Sequence, residues 1–433
     1  MELLIPKGTR DFAPEDKILR DFIVKTAAEV FESYGFQPFE TPTFERLETL
    51  TAKFAAGEAS DALKETFKFQ DQGKRDLGLK FDLTVPLARF VGMNPNLKMP
   101  FKRYQIQTVF RDGPVESNRY REFLQCDIDV IGVESVIADA EILAVVQECF
   151  KRLGLKAEIF VNDRKLLLEI LEFLKVQKEK TGKALVAIDK LDKLSRKEVE
   201  KELKESAGLK EKEISELFSL IEERKSNEES VKALEKKLGP ESKGLKEIRQ
   251  LLEFCEEFGV KVKFSPSLVR GLAYYTGPIF EARSIEGEVK GSIAGGGRWD
   301  EMIGKFLGSG RNYPATGVSL GIERIFDALK KNETLSRKTK SEVFVVPIGI
   351  PAEKAIPIVQ KIRALGINAD FDMQGKGVSK NLDYCSKLGI RLVVMLGENE
   401  LKSGELSVKN LESGKQEKVR LSQLEKLKSL LTV

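Results

Sequence analysis

The sequence predicts an α+β fold with a helical insertion and a C-terminal α/β domain, and three observations lead to that prediction. Phe101–Phe110 and Phe123–Gly132 are typical of two paired strands around a loop. Between Asp163 and Gln250, 42 of 88 residues are charged, the apolar residues recur at helical spacing, and strand patterns are almost absent. From Glu342 onward, helical and strand patterns alternate, which indicates a small α/β domain.

The other elements of the first part of the core follow in chain order. Pro14–Tyr34 shows helical apolar spacing, with a proline at its start and Gly35 after its end. Phe36–Phe44 alternates and contains prolines, which favours a strand at an edge or an interface. Leu77–Val91 predicts a strand followed by a helix that begins near Thr84.

The insertion interrupts the core, and strand patterns return after it. A helix is predicted over Glu134–Leu153 and a strand over Ala157–Val161. Two further strand patterns and two glycine-rich segments follow the insertion: Val260–Phe264, Tyr274–Ala282, Gly291–Asp300 and Gly317–Ile325. We therefore expect a core of residues 1–162 and 259–329, a helical insertion of 163–258, a linker of 330–341 and a C-terminal domain of 342–433.

Composition narrows the class of protein. No apolar run approaches the roughly 18 residues of a membrane span, and the N-terminus lacks the apolar stretch of a secretory signal. Four widely spaced cysteines without a CxxC pair indicate reduced thiols, so we expect a cytoplasmic protein. A net charge of +4 favours a nucleic-acid partner only weakly, and a solvated surface explains it equally well.

The chain contains no histidine, which excludes several kinds of chemistry. A Ser-His-Asp triad, a histidine-ligated metal and imidazole acid–base catalysis all require that side chain. The chemistry must therefore use carboxylates, arginines, hydroxyls, backbone amides and metal ions that arrive with a substrate.

Three separate segments place arginines beside glycines or aromatic residues. The first, within Phe110–Gly132, contains Arg111, Arg119 and Arg121 close to Tyr120 and Phe123. The other two are Leu268–Glu281, with Arg270, and Gly317–Ile325, in which Arg324 lies at the start of a predicted helix. The planar guanidinium binds phosphate or carboxylate through two hydrogen bonds. Each segment alone is a weak signal, because an arginine after a glycine usually lies on the surface, but together they indicate a polyphosphate site without a GxxxxGK[ST] loop.

These segments resemble the histidyl-tRNA synthetases, a family of class II aminoacyl-tRNA synthetases, nearly from end to end. Pro6–Phe12 is similar to the family's N-terminal signature, and Tyr34–Glu45 to class II motif 1. Phe110–Gln125 resembles motif 2, and Gly317–Ile325 resembles motif 3. The two histidine-specific motifs and the anticodon-binding domain are matched by Leu268–Gly277, Ala294–Asp300 and Gly375–Ile390. The resemblance implies a class II antiparallel sheet core with flanking helices, a helical insertion and a C-terminal α/β anticodon-binding domain.

The resemblance also assigns roles to individual residues. Arg111 and Arg270 are implied as the catalytic cations at the α-phosphate. ATP would be bound by Arg111, Arg119, Phe123 and Arg324, with magnesium on its phosphates. L-Histidine would be bound by Asp82, Thr84, Gln125, Asp129, Arg270, Tyr274, Tyr275, Gly295 and Gly296. Histidine tRNA is the implied acceptor, and motif 1 implies a homodimer.

The implied histidine site makes chemical sense. A carboxylate, Asp129, and a phenol, Tyr275, can hold both ring nitrogens of an imidazole. Amino acids without polar atoms at those positions would leave both groups unpaired. Adenylation itself requires mainly positioning and neutralisation of phosphate charge.

The chain departs from the family pattern in three places. It has Ala273 where the family usually has an acid, and Trp299 where the family usually has a tyrosine. In motif 2, Asp112 and Gly113 follow Arg111, whereas the family often places an acid two residues after that arginine. These departures concern contacts to the adenine edge and to the pocket wall.

Several alternatives stay open at the level of sequence. Asp127 shares a strand face with Asp129 and is expected either behind the ligand residues or in solvent. Tyr274 is expected to point away from Tyr275 into the core, and Trp299 is expected to pack rather than to bind. The charged insertion fits solvated helix faces and RNA contact equally well. A non-catalytic histidine-sensing regulatory paralogue and a tRNA-binding module without charging activity are the alternative functions.

Overall fold

The strand β5 (Phe101–Phe110) and the strand β6 (Glu122–Ile131) form an antiparallel hairpin within an eight-stranded sheet. The computed structural model describes residues 2–52, 64–115, 120–192, 194–270, 274–285, 291–330 and 337–431. The chain divides into two units, one of Met1–Arg10 and Ile23–Leu329 and the other of Asp11–Phe22 and Lys330–Val433.

The other six strands of the eight-stranded sheet are β1 (Gln37–Pro38), β7 (Ala157–Asp163), β8 (Val262–Phe264), β9 (Pro278–Ser284), β10 (Ser292–Arg298) and β11 (Ala315–Gly321). The order of the large sheet is β1-β5-β6-β11-β10-β9-β7-β8. Its inner pairs are antiparallel, whereas β1 pairs with β5 and β8 pairs with β7 in parallel at the two edges. A smaller sheet has the order β2-β4-β3, with β2 (Phe44–Arg46), β3 (Lys68–Gln70) and β4 (Asp76–Leu79).

Most predicted elements of the core are confirmed within three residues. The hairpin strands β5 and β6 begin and end within one residue of the prediction. Helices occupy Pro14–Ser33, Leu47–Ala52, Thr84–Met93, Ile137–Leu153, Met302–Phe306 and Ile322–Leu329. The strand predicted from Tyr274 was wrong at its start, because β9 begins at Pro278. Before that point, the Thr276 amide donates to the Arg298 carbonyl outside the regular ladder.

Between β7 and β8 the described residues form helices and no strand. The helices are Arg164–Phe173, Lys178–Asp189, Arg196–Glu202, Glu211–Ile221, Asn227–Leu238 and Lys243–Glu257, with a π-helical turn over Leu203–Ala207. Ser195, Ser226 and Ser242 accept backbone N–H groups at helix starts, which satisfies donors that a helix leaves unpaired. A Cβ atom on Gly244 would lie 2.3 Å from the Leu166 amide nitrogen, so glycine permits this close helix crossing.

The C-terminal part forms its own five-stranded sheet in the order β13-β12-β14-β15-β16. Its strands are β12 (Val343–Ile348), β13 (Ala369–Phe371), β14 (Leu392–Gly397), β15 (Glu405–Asn410) and β16 (Gln416–Arg420), and its helices are Ile356–Ala364, Val378–Leu388, Glu398–Ser403 and Lys426–Leu431. The strand β12 pairs in parallel with β13 and β14, as the alternating pattern predicts. A core of fully buried aliphatic residues, including Val345, Ile362 and Val394, fills the space beneath the helices.

Two sequence-level expectations are answered by the fold as a whole. All four cysteines are free and buried. Within the described ranges, no helix is both long enough and apolar enough to cross a bilayer.

Candidate active site

One face of the large sheet collects polar side chains from several strands, because directly opposed residues of an antiparallel ladder point to the same side. Asp127 on β6 is opposed by Gln105 on β5 and by Ser319 on β11. Ser319 is opposed by Gly295 on β10, and Gly295 by Glu281 on β9. We call this surface the polar face; its side chains are Arg103, Gln105, Gln107, Gln125, Asp127, Asp129, Ser319 and Glu281.

Asp129 forms a buried ion pair that the sequence analysis missed. Its Oδ2 lies 2.6 Å from Nη2 of Arg103, and the two residues are 3% and 0% exposed. Burial raises the pKa of Asp129, while the Arg103 guanidinium acts in the opposite direction and favours the carboxylate. Arg103 also donates to Gln105 Oε1 at 3.1 Å and to the Leu83 carbonyl at 3.4 Å. The Arg103 guanidinium, itself held by Gln105 and Leu83, therefore fixes the position of the Asp129 carboxylate.

A second buried cation extends this network along β5. Lys80 is 1% exposed, and its Nζ donates to Gln107 Oε1 at 2.7 Å. Burial lowers the pKa of Lys80 to about 8, against the attraction of Glu40 and Glu45. Gln107 in turn donates to Glu40 Oε1 at 2.8 Å. The polar face is thus tied to the Tyr34–Glu45 segment that resembles motif 1.

Asp127 does not lie in solvent, so that part of the sequence expectation was wrong. Its side chain is 5% exposed, and burial raises its pKa to about 7 despite the nearby Arg103 cation. The hydroxyl of Ser319 hydrogen-bonds to it. Among the described residues, however, Asp127 Oδ1 has no hydrogen-bond partner, and neither does Gln125 Oε1. Buried polar atoms are rarely left unpaired, so these two acceptors require an explanation.

Trp299 takes part in the site as well as in the core. It is 2% exposed and packs with Leu87, Val91 and Ile131, as the sequence analysis expected. Its indole N–H also donates to Asp129, and this hydrogen bond lowers the pKa of the carboxyl group. Although Trp299 stands where the family usually has a tyrosine, it still provides a hydrogen-bond donor in the wall of the site.

Arg270 lies against the glycine strand β10. A Cβ atom on Gly295 would lie 1.8 Å from Nη1 of Arg270, so only glycine leaves room for the guanidinium there. Arg270 Nη1 donates to Glu281 Oε2 at 3.3 Å, while Arg283 Nε donates to Glu281 Oε1 at 2.8 Å. Burial alone would lower the pKa of Arg270, but Tyr275 and Glu281 outweigh it and raise the pKa. The guanidinium therefore stays charged.

The segment that carries Arg270 is anchored in front of that residue and after it. Asn162 on β7 is fully buried and donates to the carbonyls of Pro266 (3.0 Å) and Leu268 (2.9 Å). After the segment, the Thr276 amide donates to the Arg298 carbonyl at 2.8 Å. Residues 271–273, including the departure at Ala273, lie outside the described residues.

The two tyrosines after Arg270 have different surroundings. Tyr275 is 5% exposed and hydrogen-bonds to Arg270. Tyr274 packs against the buried cluster around Trp299, in line with the expectation that it points into the core. The two rings nevertheless touch, with centroids 4.7 Å apart. Burial, and then the neighbouring Tyr275 and Asp82, raise the pKa of Tyr274 well above its usual value.

Glycines allow the strands beneath the site to approach closely. A Cβ atom on Gly296 would lie 2.0 Å from the Gly317 carbonyl oxygen, and one on Gly317 would lie 2.0 Å from Asp129 Oδ1. Gly296 thus contacts the backbone of β11, whereas Gly317 leaves space for the Asp129 carboxylate.

Asp82 and Thr84 lie at the start of the helix Thr84–Met93. Asp82 Oδ1 accepts the amides of Thr84 (3.1 Å) and Val85 (2.9 Å), so the carboxylate caps this helix. That contact fixes the orientation of Asp82. It also accounts for the predicted position of the helix start.

Arg111 on the motif 2 segment lies between two aromatic rings. Its guanidinium carbon is 4.3 Å from the centroid of Phe81 and 4.9 Å from that of Phe123. Arg111 also donates to the Phe81 carbonyl at 3.4 Å. Arg119, a predicted ATP ligand, lies outside the described residues.

Motif 3 contributes Arg324, which donates to the Ser292 carbonyl on β10 at 2.6 Å. Its neighbour Glu323, which the sequence analysis did not single out, is 6% exposed and forms an ion pair with Arg10. Glu323 also accepts the Leu124 amide at 3.3 Å. Arg10 stacks on Tyr120, with its guanidinium carbon 3.7 Å from the ring centroid. The N-terminal signature is thus joined to motifs 2 and 3.

The missed residues had one signal in the sequence. Arg103, Gln105 and Gln107 recur at a spacing of two on a predicted strand, and the hairpin places them opposite Asp129, Asp127 and Gln125. The polar repeat predicts that they share one face. It does not predict that this face is buried.

The comparisons with known proteins agree with this architecture. A model of the histidyl-tRNA synthetase family matches residues 8–325, and an anticodon binding domain model matches residues 342–429. The chain is 37% identical over 429 residues to histidine–tRNA ligase 1 of Bacillus cereus, covering 98% of this chain and 97% of that protein. It is 36% identical over 451 residues to histidine–tRNA ligase of Bacteroides fragilis, covering 97% of each chain. The crystal structure of histidyl-tRNA synthetase from Nostoc sp. superposes with a TM-score of 0.87 at 30% identity, covering 99% of both chains.

The antiparallel sheet, its motif 2 hairpin and the strand–helix unit of β11 and Ile322–Leu329 define a class II aminoacyl-tRNA synthetase. That class comprises ligases, and the C-terminal anticodon binding domain is consistent with it. More narrowly, the chain belongs to the histidyl-tRNA synthetase family.

Proposed function

We propose that the chain activates L-histidine with ATP to form histidyl-adenylate and transfers the histidyl group to the 3′ end of histidine tRNA. The observation that carries this proposal is the convergence of Arg270, Asp129 and Gln125 with the glycines of β10 at one side of a single sheet. The full-length relationship to histidine–tRNA ligases supports it. The same relationship provides no support for a non-catalytic regulatory protein.

On the nucleotide side, three arginines and a phenylalanine would bind ATP. Arg111 would hold the α-phosphate and the histidine carboxylate, and Phe123 would stack on adenine. Arg324 would cover the other side of the base and the γ-phosphate. Arg119 is proposed as a further phosphate ligand on the basis of the motif alone. Because the Arg111 guanidinium already lies over the Phe123 ring, adenine would stack on the other side of that ring.

On the amino-acid side, Asp82, Thr84 and Gln125 would hold the α-amino group. The unpaired Oε1 of Gln125 is the acceptor that such a group needs. Asp129 and Tyr275 would hold the two imidazole nitrogens. Gly295 and Gly296 would line the floor, and Tyr274 would support Tyr275 from the core side through their ring contact.

The reaction would then proceed without a protein acid or base. The histidine carboxylate oxygen attacks the α-phosphorus of ATP, the bond to the bridging oxygen breaks, and pyrophosphate leaves with that electron pair. Arg270 and Arg111 would neutralise the charge that develops on the phosphoryl oxygens. Electrostatic stabilisation of this kind is usually the largest single contribution to catalysis. In the second step, a ribose hydroxyl at the tRNA 3′ end attacks the carbonyl carbon of histidyl-adenylate. The bond from that carbon to the phosphate oxygen breaks, and AMP leaves with the electron pair and takes up the hydroxyl proton.

Magnesium would arrive as part of the nucleotide substrate. Mg²⁺ binds mainly through phosphate oxygens and water in such sites, with one or two carboxylates. The described residues contain no group of three or more acidic or cysteine side chains arranged to hold a metal by themselves. We therefore propose Mg·ATP as the substrate form.

The other parts of the chain would bind tRNA and a second copy. We propose residues 342–433 as the anticodon-binding domain and 330–341 as its linker, because the domain model matches residues 342–429. Residues 163–258 are proposed as a helical insertion in a core of 1–162 and 259–329. A homodimer built around the Tyr34–Glu45 segment and a cytoplasmic location are proposed on the family resemblance.

A charging assay tests this function. Purified protein is incubated with labelled histidine, Mg·ATP and either histidine tRNA or an unrelated tRNA. We expect label on histidine tRNA alone, and only when ATP is present. Charging of the unrelated tRNA to the same level, or binding of histidine tRNA without charging, would contradict the proposal.

A further inference from the structure

Asp127 is a polar-face carboxylate to which the proposed function gives no role, and unlike Glu281 it does not have both of its oxygens hydrogen-bonded to arginines. It lies between Gln125 and Asp129 at a spacing of two, so all three side chains leave β6 on the same side. Asp127 Oδ1 is buried and has no hydrogen-bond partner among the described residues. A buried acceptor without a donor costs free energy in the empty protein. A ligand that supplies the donor would recover that cost.

The hydrogen-bond pattern fixes what kind of ligand atom is required. Ser319 donates its single hydroxyl proton to the Asp127 carboxylate, so it can only accept from Gln125 Nε2, at 3.2 Å. This arrangement turns Gln125 Oε1 away from Ser319 and leaves it unpaired. When Asp127 is ionised, the two free atoms, on Gln125 and Asp127, are therefore both acceptors. A group that fits them must carry at least two N–H or O–H donors.

The local charge favours a cation as this group. Asp127 and Asp129 share one nearby guanidinium, that of Arg103, and Arg103 makes its 2.6 Å contact with Asp129. When both carboxyls are ionised, the three groups carry one net negative charge. Burial and the neighbouring Asp129 and Asp82 charges raise the pKa of Asp127, whereas Arg103 and Ser319 lower it. A cation beside Oδ1 would complete the balance.

We propose that Asp127 is a histidine-binding residue whose free carboxylate oxygen accepts a hydrogen bond from the α-ammonium group of the amino acid, beside Gln125. This inference rests on the proposed function and adds a residue to its amino-acid site. The α-ammonium carries three N–H donors and a full charge, enough for Gln125, Asp127 and one acceptor from Asp82 or Thr84, whereas a neutral imidazole carries a single N–H. Asp129 and Tyr275 already account for the ring. Arg103 acts as a positioning residue, because it holds Asp129 and faces Asp127 without reaching the ligand.

A substrate analogue separates this role from a structural one. L-β-Imidazolelactate keeps the ring and the carboxylate of histidine but has a hydroxyl in place of the ammonium group. Binding of labelled L-histidine is measured by equilibrium dialysis, and imidazolelactate is measured by competition, for wild type and for Asp127→Asn. We expect Asp127→Asn to lower the affinity for L-histidine roughly 10-fold or more, which is the effect expected when a hydrogen bond to a charged group is lost. The affinity for imidazolelactate should fall by less than about 3-fold, because this analogue lacks the ammonium group that Asp127 binds.

Two further variants make the result decisive. The amide of Asp127→Asn resembles the neutral acid, which the raised pKa of about 7 already makes accessible, so this variant should fold. Asp127→Ala removes both oxygens and should show the same selective loss. Asp383→Asn, an exposed aspartate paired with Lys387 in the C-terminal sheet domain, is the matched control and should bind both ligands normally.

Four outcomes are distinguishable. Selective loss of histidine binding supports the ammonium contact. Equal weakening of histidine and imidazolelactate would overturn it and assign Asp127 to structural support of Arg103. Unchanged histidine binding in both Asp127 variants would overturn it as well. If the wild-type chain failed to bind histidine at all, the proposed function itself would be overturned.

Discussion

Trp299, the only tryptophan of the chain, donates its indole N–H to the carboxylate of Asp129. Oδ2 of Asp129 also lies 2.6 Å from Nη2 of Arg103. The residue proposed to bind the imidazole is therefore fixed by two donors before any substrate arrives. Preorganisation of this kind reduces the ordering cost of binding.

The first prediction uses Trp299 as a built-in reporter. A ligand that hydrogen-bonds to Asp129 changes the charge and polarity next to the indole, so saturating L-histidine should change the tryptophan fluorescence of the wild-type protein. ATP alone should have a much smaller effect, because Arg111 and Arg324 belong to the nucleotide side of the site. The titration is followed by emission under selective tryptophan excitation.

The variant Trp299→Phe is the control for this signal, since it removes the only indole. An emission spectrum that is insensitive to histidine, in a protein shown by dialysis to bind it, would contradict the placement of Asp129 at the imidazole.

The second prediction concerns Asp129→Asn. An amide can present an N–H where the imidazole needs an acceptor, and it loses the negative charge. We expect the KM for histidine to rise by roughly 10- to 100-fold and the KM for ATP to change by less than about 2-fold. Both constants are measured by pyrophosphate exchange. Equal increases in the KM for histidine and the KM for ATP would instead indicate that Asp129 has a structural role.

The sequence was informative wherever a local pattern determines the structure. The hairpin of β5 and β6 follows from alternating residues around a loop, and its ends were predicted within one residue. The helix at Thr84 follows from Asp82, whose side chain caps it. Capping and alternation depend on residues a few positions apart, so one sequence contains the required information.

Other features depend on contacts between distant segments. Arg103 on an alternating strand is normally expected to face solvent. It is buried, with its guanidinium hydrogen-bonded to the Leu83 carbonyl and with Asp129 opposite it in the ladder. In the same way, Asp127 was expected behind the site or in solvent, and only the packing of the sheet decides that it is buried. Lys80, which is 1% exposed, gave no signal at all.

The third prediction concerns the stability that Arg103 provides. Arg103→Met would leave the buried Asp129 carboxylate without its guanidinium, and removal of one partner of a buried pair costs roughly 3–5 kcal/mol. The free energy of unfolding is measured by urea denaturation. The control Arg46→Met, at an arginine that is 73% exposed and pairs with Glu48, should have little effect. Equal stabilities of the two variants would show that the Arg103–Asp129 pair contributes nothing.

The fourth prediction concerns pH and Asp127. Burial is the main reason that its pKa rises from 3.8 to about 7. The Asp129 and Asp82 charges raise the pKa further, whereas Arg103 and the Ser319 hydrogen bond lower it. The folded state therefore keeps a proton that the unfolded chain has lost, so this group's stabilisation is present below pH 4 and is lost as pH rises towards 7. About three pKa units correspond to roughly 4 kcal/mol.

The measurement is the difference in unfolding free energy between wild type and Asp127→Asn across that pH range. Because the amide does not titrate, the wild type should lose stability relative to the variant as the pH rises. A difference that stays constant with pH would contradict the raised pKa of Asp127.

The fifth prediction addresses the central claim, that Arg270 neutralises the α-phosphate during histidine activation. Its most direct test is ATP–pyrophosphate exchange by the wild-type chain, by Arg270→Ala and by the control Arg249→Ala, an arginine on the insertion helix Lys243–Glu257 that pairs with Glu235. We predict exchange that depends on histidine and on no other amino acid, a loss of roughly 100-fold or more in Arg270→Ala, and normal exchange in Arg249→Ala. Exchange supported equally by another amino acid, or retained within a few-fold in Arg270→Ala, would contradict the account.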